Sequence, residues 1–429
     1  PERPPDLLIV NDTWGFALMA GLILKEVPFL FLMVLAALPQ TDADRSLVVA
    51  RTLGYGAVAA GLKVVLPRLY PQIRLPILAV LAYGVSVVDV SLVLGPTTPS
   101  TLPVQILKWI NDPDLTLRFR ASAAALLQLG LVAVAIAIWL AAERYVAGHA
   151  TPWLENGTRT FAERGAKKAA QILSMLMAFI LAASLLAIVL WSVAEAWRFP
   201  EALPRAFTLS NWMNERARAL TLLGNALVIA LAATALSLVL VIACLEREVR
   251  LGATEPGRWA LWLLYLPLLV PQIAFLLGLQ VLLIVVRLDE TLPALVLAHM
   301  VFVLPYVFLS LADPWRAFDE RFRTVALTLG ASPLRSLLTV RLPMLLRALL
   351  TAAAVGIAVS IGQFLATQLV AGARWPTITT EAVALSSGGN RRTLAIYALL
   401  QMLIPLCAFL LATLLPALIF RSRRGMGSA

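Results

Sequence analysis

The sequence predicts an all-α polytopic membrane protein built from two parallel repeats. Of its 429 residues, 60% are hydrophobic and 14% are charged, and the mean hydropathy is +0.86. Long apolar runs alternate with polar segments, and at roughly 20 residues a span the chain is long enough for about nine spans. A basic amphipathic segment also occurs twice, which indicates an internal repeat. Together these features exclude an ordinary soluble protein.

The repeated segment covers residues 45–67 and returns as residues 321–343. It follows an apolar run in both places, so the two copies are expected on the same side of the membrane, as in parallel repeats. A repeat of this kind determines the architecture of a chain before any local pattern does. The positions identical in both copies are, by their numbers in the first copy, Arg45, Val49, Ala50, Thr52, Leu53, Gly54, Leu62, Val64, Leu66 and Pro67.

Each copy has the pattern of two helices joined at a corner. In the second copy, Gly330 stands where the first helix needs a left-handed residue, and Ser332 with Pro333 supplies an N-cap and an N1 proline for the next. The closing proline, Pro343, is expected to end the pattern. The first copy has Gly56 in place of the capping serine, which predicts a looser corner there.

These residues resemble the cytoplasmic loop motif of permease subunits in ATP-binding-cassette (ABC) importers. That motif reads Glu-Ala-Ala, three residues, Gly, and later Val-x-Leu-Pro. This chain departs from it, because Val48 and Thr324 stand at the Glu position and Val49 and Val325 at the first Ala. The residues that the resemblance places in ATPase-coupling loops are Val49, Ala50, Thr52, Gly54, Leu66, Pro67, Val325, Ala326, Thr328, Gly330, Leu342 and Pro343.

The resemblance, which is nearest to the fused ferric-iron and thiamine permeases, implies the type I importer permease fold and alternating access. It also implies two ABC ATPase subunits that carry ATP and Mg, a periplasmic substrate-binding protein, and a multi-pass position in the bacterial inner membrane. This chain itself is expected to bind no cofactor. Without the motif's Glu, docking is expected to rest on apolar packing of Val49, Ala50, Val325 and Ala326. A pair of interfacial helices without any partner is the alternative.

The formal net charge of +11 follows from topology. Roughly two thirds of the Lys and Arg residues fall on one side of the predicted spans, as in the cytoplasmic loops of membrane proteins. No nucleic-acid partner is therefore needed. The phosphate-binding pattern Gly-x-x-x-x-Gly-Lys-Ser/Thr does not occur in the sequence, so energy is expected from a partner. No catalytic or metal-ligand constellation predicts an enzyme.

The hydropathy predicts a first repeat over residues 1–142, a cytoplasmic linker over 143–168, and a second repeat with six spans over 169–429. An Asn-Gly-Thr glycosylation pattern at Asn156 is taken as chance, because the linker is expected inside. The basic tail Arg421–Arg424 is also expected inside. The predicted spans are residues 13–38, 75–95, 121–142, 169–197, 220–245, 260–286, 293–312, 347–371 and 394–420.

The two repeats differ in length. One span precedes the first basic loop, whereas four precede the second. The residues given are therefore expected to be the C-terminal part of a longer chain that has about three more spans, as the parallel-repeat architecture requires. A naturally shortened first repeat is the alternative.

Polar residues within the spans are candidates for the substrate pathway, namely Lys25, Glu26, Ser86, Asp89, Ser360 and Gln363. Charged groups in hydrocarbon are costly and therefore face water or a partner. Neighbouring helical residues point about 100° apart, so Lys25 and Glu26 are each expected to need a separate partner. A pair between Lys25 and Asp89 is one hypothesis, and Glu26 facing a substrate cation is another. Packing of the spans is the alternative, and His299 is expected to be a hydrogen-bonded core residue.

Two further functions remain open at this level. An ion-driven secondary transporter could use Lys25, Glu26 and Asp89 as a relay, and parallel repeats occur in such carriers. A membrane scaffold without transport is the other. The duplicated loop motif favours the importer, since the other two classes have no reason to carry it twice. The substrate is not determined by the sequence.

Overall fold

The computed structural model describes residues 10–160, 163–197, 201–252 and 258–420. Within these ranges, seven helices are long and apolar enough to cross a membrane, and the number rises to nine if each of two bent helix pairs forms one span. This confirms the prediction of an all-α chain with about nine spans. The basic tail Arg421–Arg424 lies outside the described residues.

The chain forms two compact units, and the first comprises residues 3–187 and 268–274. Helix α4 packs against α1 and α7, and Ala37, Leu69 and Ile73 form a small buried cluster there. Its helices are α1 (Phe16–Ala37), α2 (Ala43–Thr52), α3 (Ala57–Ala60), α4 (Leu66–Ser86), α5 (Asp89–Leu94), α6 (Leu102–Ile110), α7 (Leu117–Glu155) and most of α8 (Glu163–Val193).

The first span begins at a side-chain cap. The Asp12 carboxylate accepts hydrogen bonds from the backbone N–H groups of Phe16 at 2.8 Å and Ala17 at 2.9 Å. Hydrogen bonds to the charged form favour it, so they lower the pKa of Asp12. Further along α1, a Cβ at Gly21 would lie 2.4 Å from Leu94 of α5. The absence of a side chain at Gly21 therefore allows these helices to approach closely.

The helix that contains the end of the first copy of the repeat continues through Pro67. Residues Ala57–Ser86 form one helix of 30 residues, so the second span begins well before the predicted residue 75. A π turn at Gly61–Val65 directly precedes the proline. Pro67 thus falls in the first turn of a regular helical segment, where a missing N–H is tolerated. The span and the basic loop are one continuous element.

The second unit comprises residues 188–267 and 275–429. Helices α9, α12 and α16 pack against one another, and α19 packs against α16 and α9. A Cβ at Gly356 of α16 would lie 2.7 Å from the Thr234 side chain, so a small residue permits this close packing. Its helices are α9 (Ser210–Arg250), α10 (Arg258–Leu269), α11 (Gln272–Val285), α12 (Leu292–Arg316), α13 (Glu320–Thr328), α14 (Pro333–Ser336), α15 (Leu342–Met344), α16 (Leu346–Ile361), α17 (Leu365–Val370), α18 (Ile378–Ser386) and α19 (Arg391–Ile419).

Two bends interrupt apolar helical segments, the first within the predicted span 260–286 and the second just before the predicted span 347–371. Helices α10 and α11 meet at 104° at the break before Gln272, where Pro271 stands, and the segment Pro333–Met344 meets α16 at 79°. A proline lacks the N–H that a continuing helix needs, which accounts for the first bend. The second bend has no counterpart in the first copy, where the helix is continuous.

Helix α7 extends to Glu155 and α8 begins at Glu163, so only a short part of the predicted linker is non-helical. The Asn156 side-chain oxygen accepts hydrogen bonds from the Thr158 N–H at 3.2 Å and hydroxyl at 2.6 Å. The Asn-Gly-Thr pattern therefore has a local role as an Asx turn. The domain boundaries drawn from the sequence stay a prediction.

Candidate functional site

The two repeated loops share one backbone conformation. Gly54 has a φ of +84° and Gly330 a φ of +85°, as predicted for left-handed residues at the ends of α2 and α13. In each loop the glycine N–H and the next N–H donate to helix carbonyls at 3.0 Å, which is a Schellman motif. Both loops then contain a π turn, at Gly61–Val65 and Leu337–Arg341. Single π turns are frequent at functional sites.

The loops expose apolar side chains. Val49, Leu53, Val325 and Leu329 are each more than half exposed, and Leu329 reaches 82%. Exposed apolar residues grouped on an amphipathic element are typical of a protein interface. Ala50 is only 3% exposed, so the expectation that it packs against a partner is wrong, because the chain itself covers it. Ala326 is partly exposed.

The remaining predicted loop residues mostly stabilise the loops. The Thr52 hydroxyl donates to the Val49 carbonyl at 2.7 Å, and Thr328 donates to Val325 at 2.9 Å. These bonds satisfy carbonyls near the ends of α2 and α13. The closing Leu-Pro pairs differ in exposure: Leu66 and Pro67 are exposed, whereas Leu342 and Pro343 are half-buried.

A buried arginine anchors the second loop. The Arg341 guanidinium lies 3.3 Å from Glu246 and 3.1 Å from Glu320, and it donates to the Trp315 carbonyl at 2.9 Å. It also lies over the Trp315 and Phe318 rings, at 4.5 and 5.0 Å from their centroids. Ion pairs and cation–π contacts are each stronger where water is excluded. The π turn is thereby joined to α9, α12 and α13.

The first loop is anchored by a buried lysine that contacts the linker. Lys63 is buried within the π turn and donates to Asn156 Oδ1 at 2.7 Å and to Thr158 Oγ1 at 3.0 Å. Its ammonium lies 5.3 Å from the centre of the Trp153 ring. The position equivalent to Arg341 is Val65. The first loop is therefore held by the segment between α7 and α8.

The two corners have different helix caps. The Ser332 hydroxyl accepts from the Arg335 N–H at 3.2 Å, as its N-cap position predicts. At the first corner Gly56 has no side chain, and the Glu163 carboxylate accepts from the N–H groups of Val58 at 2.8 Å and Ala59 at 3.4 Å. The predicted looseness of the first corner is wrong, because a distant residue supplies the cap.

The charged residues of the first span form a cluster with Tyr83. Lys25 hydrogen-bonds to the Tyr83 hydroxyl, and that hydroxyl donates to Asp89 Oδ1 at 3.3 Å. A direct pair between Lys25 and Asp89 is not formed in the part of the chain described; Tyr83 bridges them. Lys25 Nζ also lies 3.9 Å from Glu26 Oε1, contrary to the expectation of separate partners. The long flexible lysine stem spans the angle between the neighbouring residues.

Asp89 begins α5, directly after the break that ends α4 at Ser86. The Ser86 hydroxyl donates to the Ala82 carbonyl of its own helix at 2.7 Å, so its described contact is local. Asp89 is half-buried, whereas its Lys25 neighbour is half exposed. The break thus presents a carboxylate at the point where the helical backbone is interrupted.

The corresponding break in the second repeat is enclosed by hydrogen bonds. His299 contacts Ser360 Oγ through Nδ1 at 2.8 Å and Thr367 Oγ1 through Nε2 at 3.0 Å. The Gln363 amide donates to the His299 carbonyl at 3.2 Å. The prediction of a hydrogen-bonded core histidine is confirmed. Ser360 and Gln363 make packing contacts here, and their part in a pathway stays a prediction.

The anchors of the loops were not predicted from the sequence. Arg341, Lys63 and Glu163 are absent from its candidate residues, although the first two lie inside the repeat. One signal was available, since a charged residue on the apolar face of an amphipathic helix needs a buried partner. Glu163 carried no such signal, because nothing in the linker pattern relates it to Gly56.

Comparison with known proteins gives several relatives, although no family model matches the chain. The inner membrane ABC transporter permease protein YnjC of Escherichia coli (strain K12) is 31% identical over 425 residues, which is 97% of this chain and 75% of the relative. The putative 2-aminoethylphosphonate transport system permease protein PhnV of Salmonella typhimurium is 26% identical over 53% of the chain and 86% of its own length. The spermidine/putrescine transport system permease protein PotC of Haemophilus influenzae is 25% identical over 36% of the chain and 60% of its own length.

Proposed function

Because this chain belongs to the permease subunits of ABC importers, we propose that its two repeated loops dock two separate ATPase subunits and transmit their movement to the spans. Permeases of this family act with ATPase and substrate-binding partners in the inner membrane. Membership in the family sets aside the ion-driven carrier and the scaffold. ATP and Mg are expected on the ATPase subunits, and a periplasmic binding protein is expected to deliver the substrate.

The shared backbone of the loops is the observation that carries this proposal. Both loops present exposed apolar residues, Val49 and Leu53 in one and Val325 and Leu329 in the other, around a left-handed glycine. In the first loop, the helix that follows the corner is continuous with a span. A rigid helix that joins a docking surface to a span converts a rotation of the partner into a displacement of that span. Closure of the ATPase subunits on ATP would thus open the pathway.

The test introduces a charge at each corner. Gly330→Asp places a carboxylate in the docking surface, and Gly330→Asn is its neutral control of equal size, since both residues tolerate a left-handed backbone. The complex is purified from membranes in mild detergent, and the copurifying ATPase is quantified. We expect Gly330→Asp to lose most of the ATPase and Gly330→Asn to retain it.

Gly54→Asp is expected to have a smaller effect than Gly330→Asp. A Cβ at Gly54 would lie 3.6 Å from the Arg159 guanidinium, whereas in the described part of the chain one at Gly330 would have only its chain neighbours within 4 Å. Arg159 can therefore pair with the new carboxylate at the first corner. If Gly54→Asp and Gly330→Asp both leave the ATPase bound and active, the loops are not the docking elements.

We also propose that the cluster at the first break contacts a substrate with a positively charged group. Glu26 and Asp89 oppose a single cation, Lys25, so the cluster has an excess negative charge. A carboxylate within a span is usually functional unless it is fully paired. The relatives PhnV and PotC are named for transport of 2-aminoethylphosphonate and of spermidine or putrescine, all of which are amines.

Uptake by cells that express the complete transporter tests this assignment. The panel contains putrescine, spermidine and 2-aminoethylphosphonate, with matched acids that lack an amine. Glu26→Gln and Asp89→Asn should lower uptake of the amines roughly tenfold, as for a charged contact of about 1.4 kcal/mol, without changing thermal stability. Uptake restricted to the acids, or variants that lose stability instead of uptake, would refute the assignment.

A further inference from the structure

The helix that follows the first corner is capped by a residue of the linker, more than a hundred positions away in sequence. Glu163 accepts hydrogen bonds from the N–H groups of Val58 and Ala59. These are the second and third residues of the helix that begins at Ala57 and continues to Ser86. The first N–H groups of a helix have no partner within the helix, so an acceptor from elsewhere stabilises it.

The second loop shows what Glu163 replaces. Ser332 accepts from the Arg335 N–H, which is the third residue of its helix. Gly56 stands at the equivalent position in the first loop, with φ −69° and ψ 164°, against φ −65° and ψ 156° for Ser332. The backbone is therefore ready for a capping serine at both corners. Only the second corner has one.

The space for such a serine is taken by the glutamate. A Cβ at Gly56 would lie 2.2 Å from Glu163 Oε1. Gly56 also donates its N–H to the Arg159 carbonyl at 2.8 Å, and Lys63, about two turns further along, donates to Asn156 and Thr158. The glycine and the linker thus fit each other at several points, through side chains and backbone together.

We propose that Glu163 is a positioning residue for coupling, which fixes the first corner to the linker so that loop and linker move together. The proposal rests on the proposed docking function, because it concerns how the first loop holds its angle when a partner acts on it. The cap sets the direction of the helix from Ala57 relative to α2. Val49 and Leu53, on α2 and at its end, then keep a defined position relative to the span.

Three variants of the chain in its purified complex, with Gly56→Ser alone as a fourth for comparison, test this role. Glu163→Ala removes the cap, Glu163→Gln keeps one acceptor oxygen, and Gly56→Ser in the Glu163→Ala background supplies the cap from the loop itself. The readouts are hydrogen exchange of the peptide that contains Val58 and Ala59, and the ATP turnover of the complex in lipid nanodiscs. Exchange reports the cap without any reference to the ATPase.

Loss of an N-cap should raise amide exchange at this corner roughly fivefold. We therefore expect Glu163→Ala to raise exchange and lower ATP turnover, Glu163→Gln to have a smaller effect on both, and Gly56→Ser with Glu163→Ala to restore both. Gly56→Ser alone should neither lower amide exchange nor raise ATP turnover, because Glu163 occupies the space for the new side chain.

Several results would overturn the proposal. Unchanged exchange in Glu163→Ala would mean that the contact does not cap the helix. Raised exchange with normal ATP turnover, or exchange restored by Gly56→Ser without restored turnover, would mean that the cap does not serve coupling. Failure of the docking function itself is separate, since it would appear in Gly330→Asp, which leaves the linker and Glu163 unaltered, while the exchange result for Glu163 still held.

Discussion

The two repeated loops have the same backbone conformation at their corners but are held by different parts of the chain. The second loop has its own cap, Ser332, and a buried Arg341 that pairs with Glu246 and Glu320. The first loop has neither, and the linker supplies both a cap and hydrogen-bond acceptors for Lys63. A duplicated fold can therefore keep its geometry while the interactions that maintain it are replaced.

The residues that surround the two corners also differ. Among the described residues, no atom beyond the neighbouring residues in the chain lies within 4 Å of a Cβ added at Gly330, whereas Arg159 lies beside Gly54. A partner docked as proposed would meet the guanidinium of the linker residue Arg159 beside the first corner, so the surroundings of the two corners are not chemically equivalent.

The largest effect is expected from Arg341→Met. Removing one member of a buried ion pair leaves Glu246 without this partner and costs about 3 to 5 kcal/mol. The free energy of unfolding is measured by denaturant titration in detergent micelles. Arg335→Met, on the exposed side of the same loop, is the matched control and should change little. Equal stability of the two variants would show that the second loop is not anchored through Arg341.

A smaller loss is expected from Lys63→Met. Its hydrogen bonds to Asn156 and Thr158 involve a charged donor, and such bonds contribute about 1.5 to 3 kcal/mol. The change in the free energy of unfolding is measured by the same denaturant titration. Lys167→Met serves as the control, because Lys167 is an exposed lysine of α8. If Lys63→Met lowered the free energy of unfolding as much as Arg341→Met, an anchor with neutral acceptors would be as strong as one with ion pairs, and the expected difference between the loops would be wrong.

The smallest effect is expected from Ser332→Ala, which should cost about 1 kcal/mol because the N-cap is lost. The loss is local, so hydrogen exchange of the peptide from Pro333 to Arg341 is the measurement. Ser332→Thr keeps the cap and should behave like the unmodified chain. If exchange in the first loop rose as well, the two corners would not be capped independently.

Several features of the fold followed from sequence patterns. Hydropathy gave the number of spans, and the repeat gave the conformation of Gly54 and Gly330, since a left-handed glycine at a helix end depends on local geometry. Ser332 and His299 also had the predicted contacts. The predicted start of the second span at residue 75 was wrong, because the helix runs through Pro67, which a first helical turn tolerates, and hydropathy does not report helix within a basic loop.

The sequence by itself determined the class of protein, the two loops and their corners, because periodicity, hydropathy and capping act between residues close in the chain. The tertiary structure alone decided how each loop is anchored. Glu163 reaches Val58, and Arg341 reaches Glu246, across long separations in sequence. Such contacts depend on where packed helices place their ends, and local preferences carry no information about that placement.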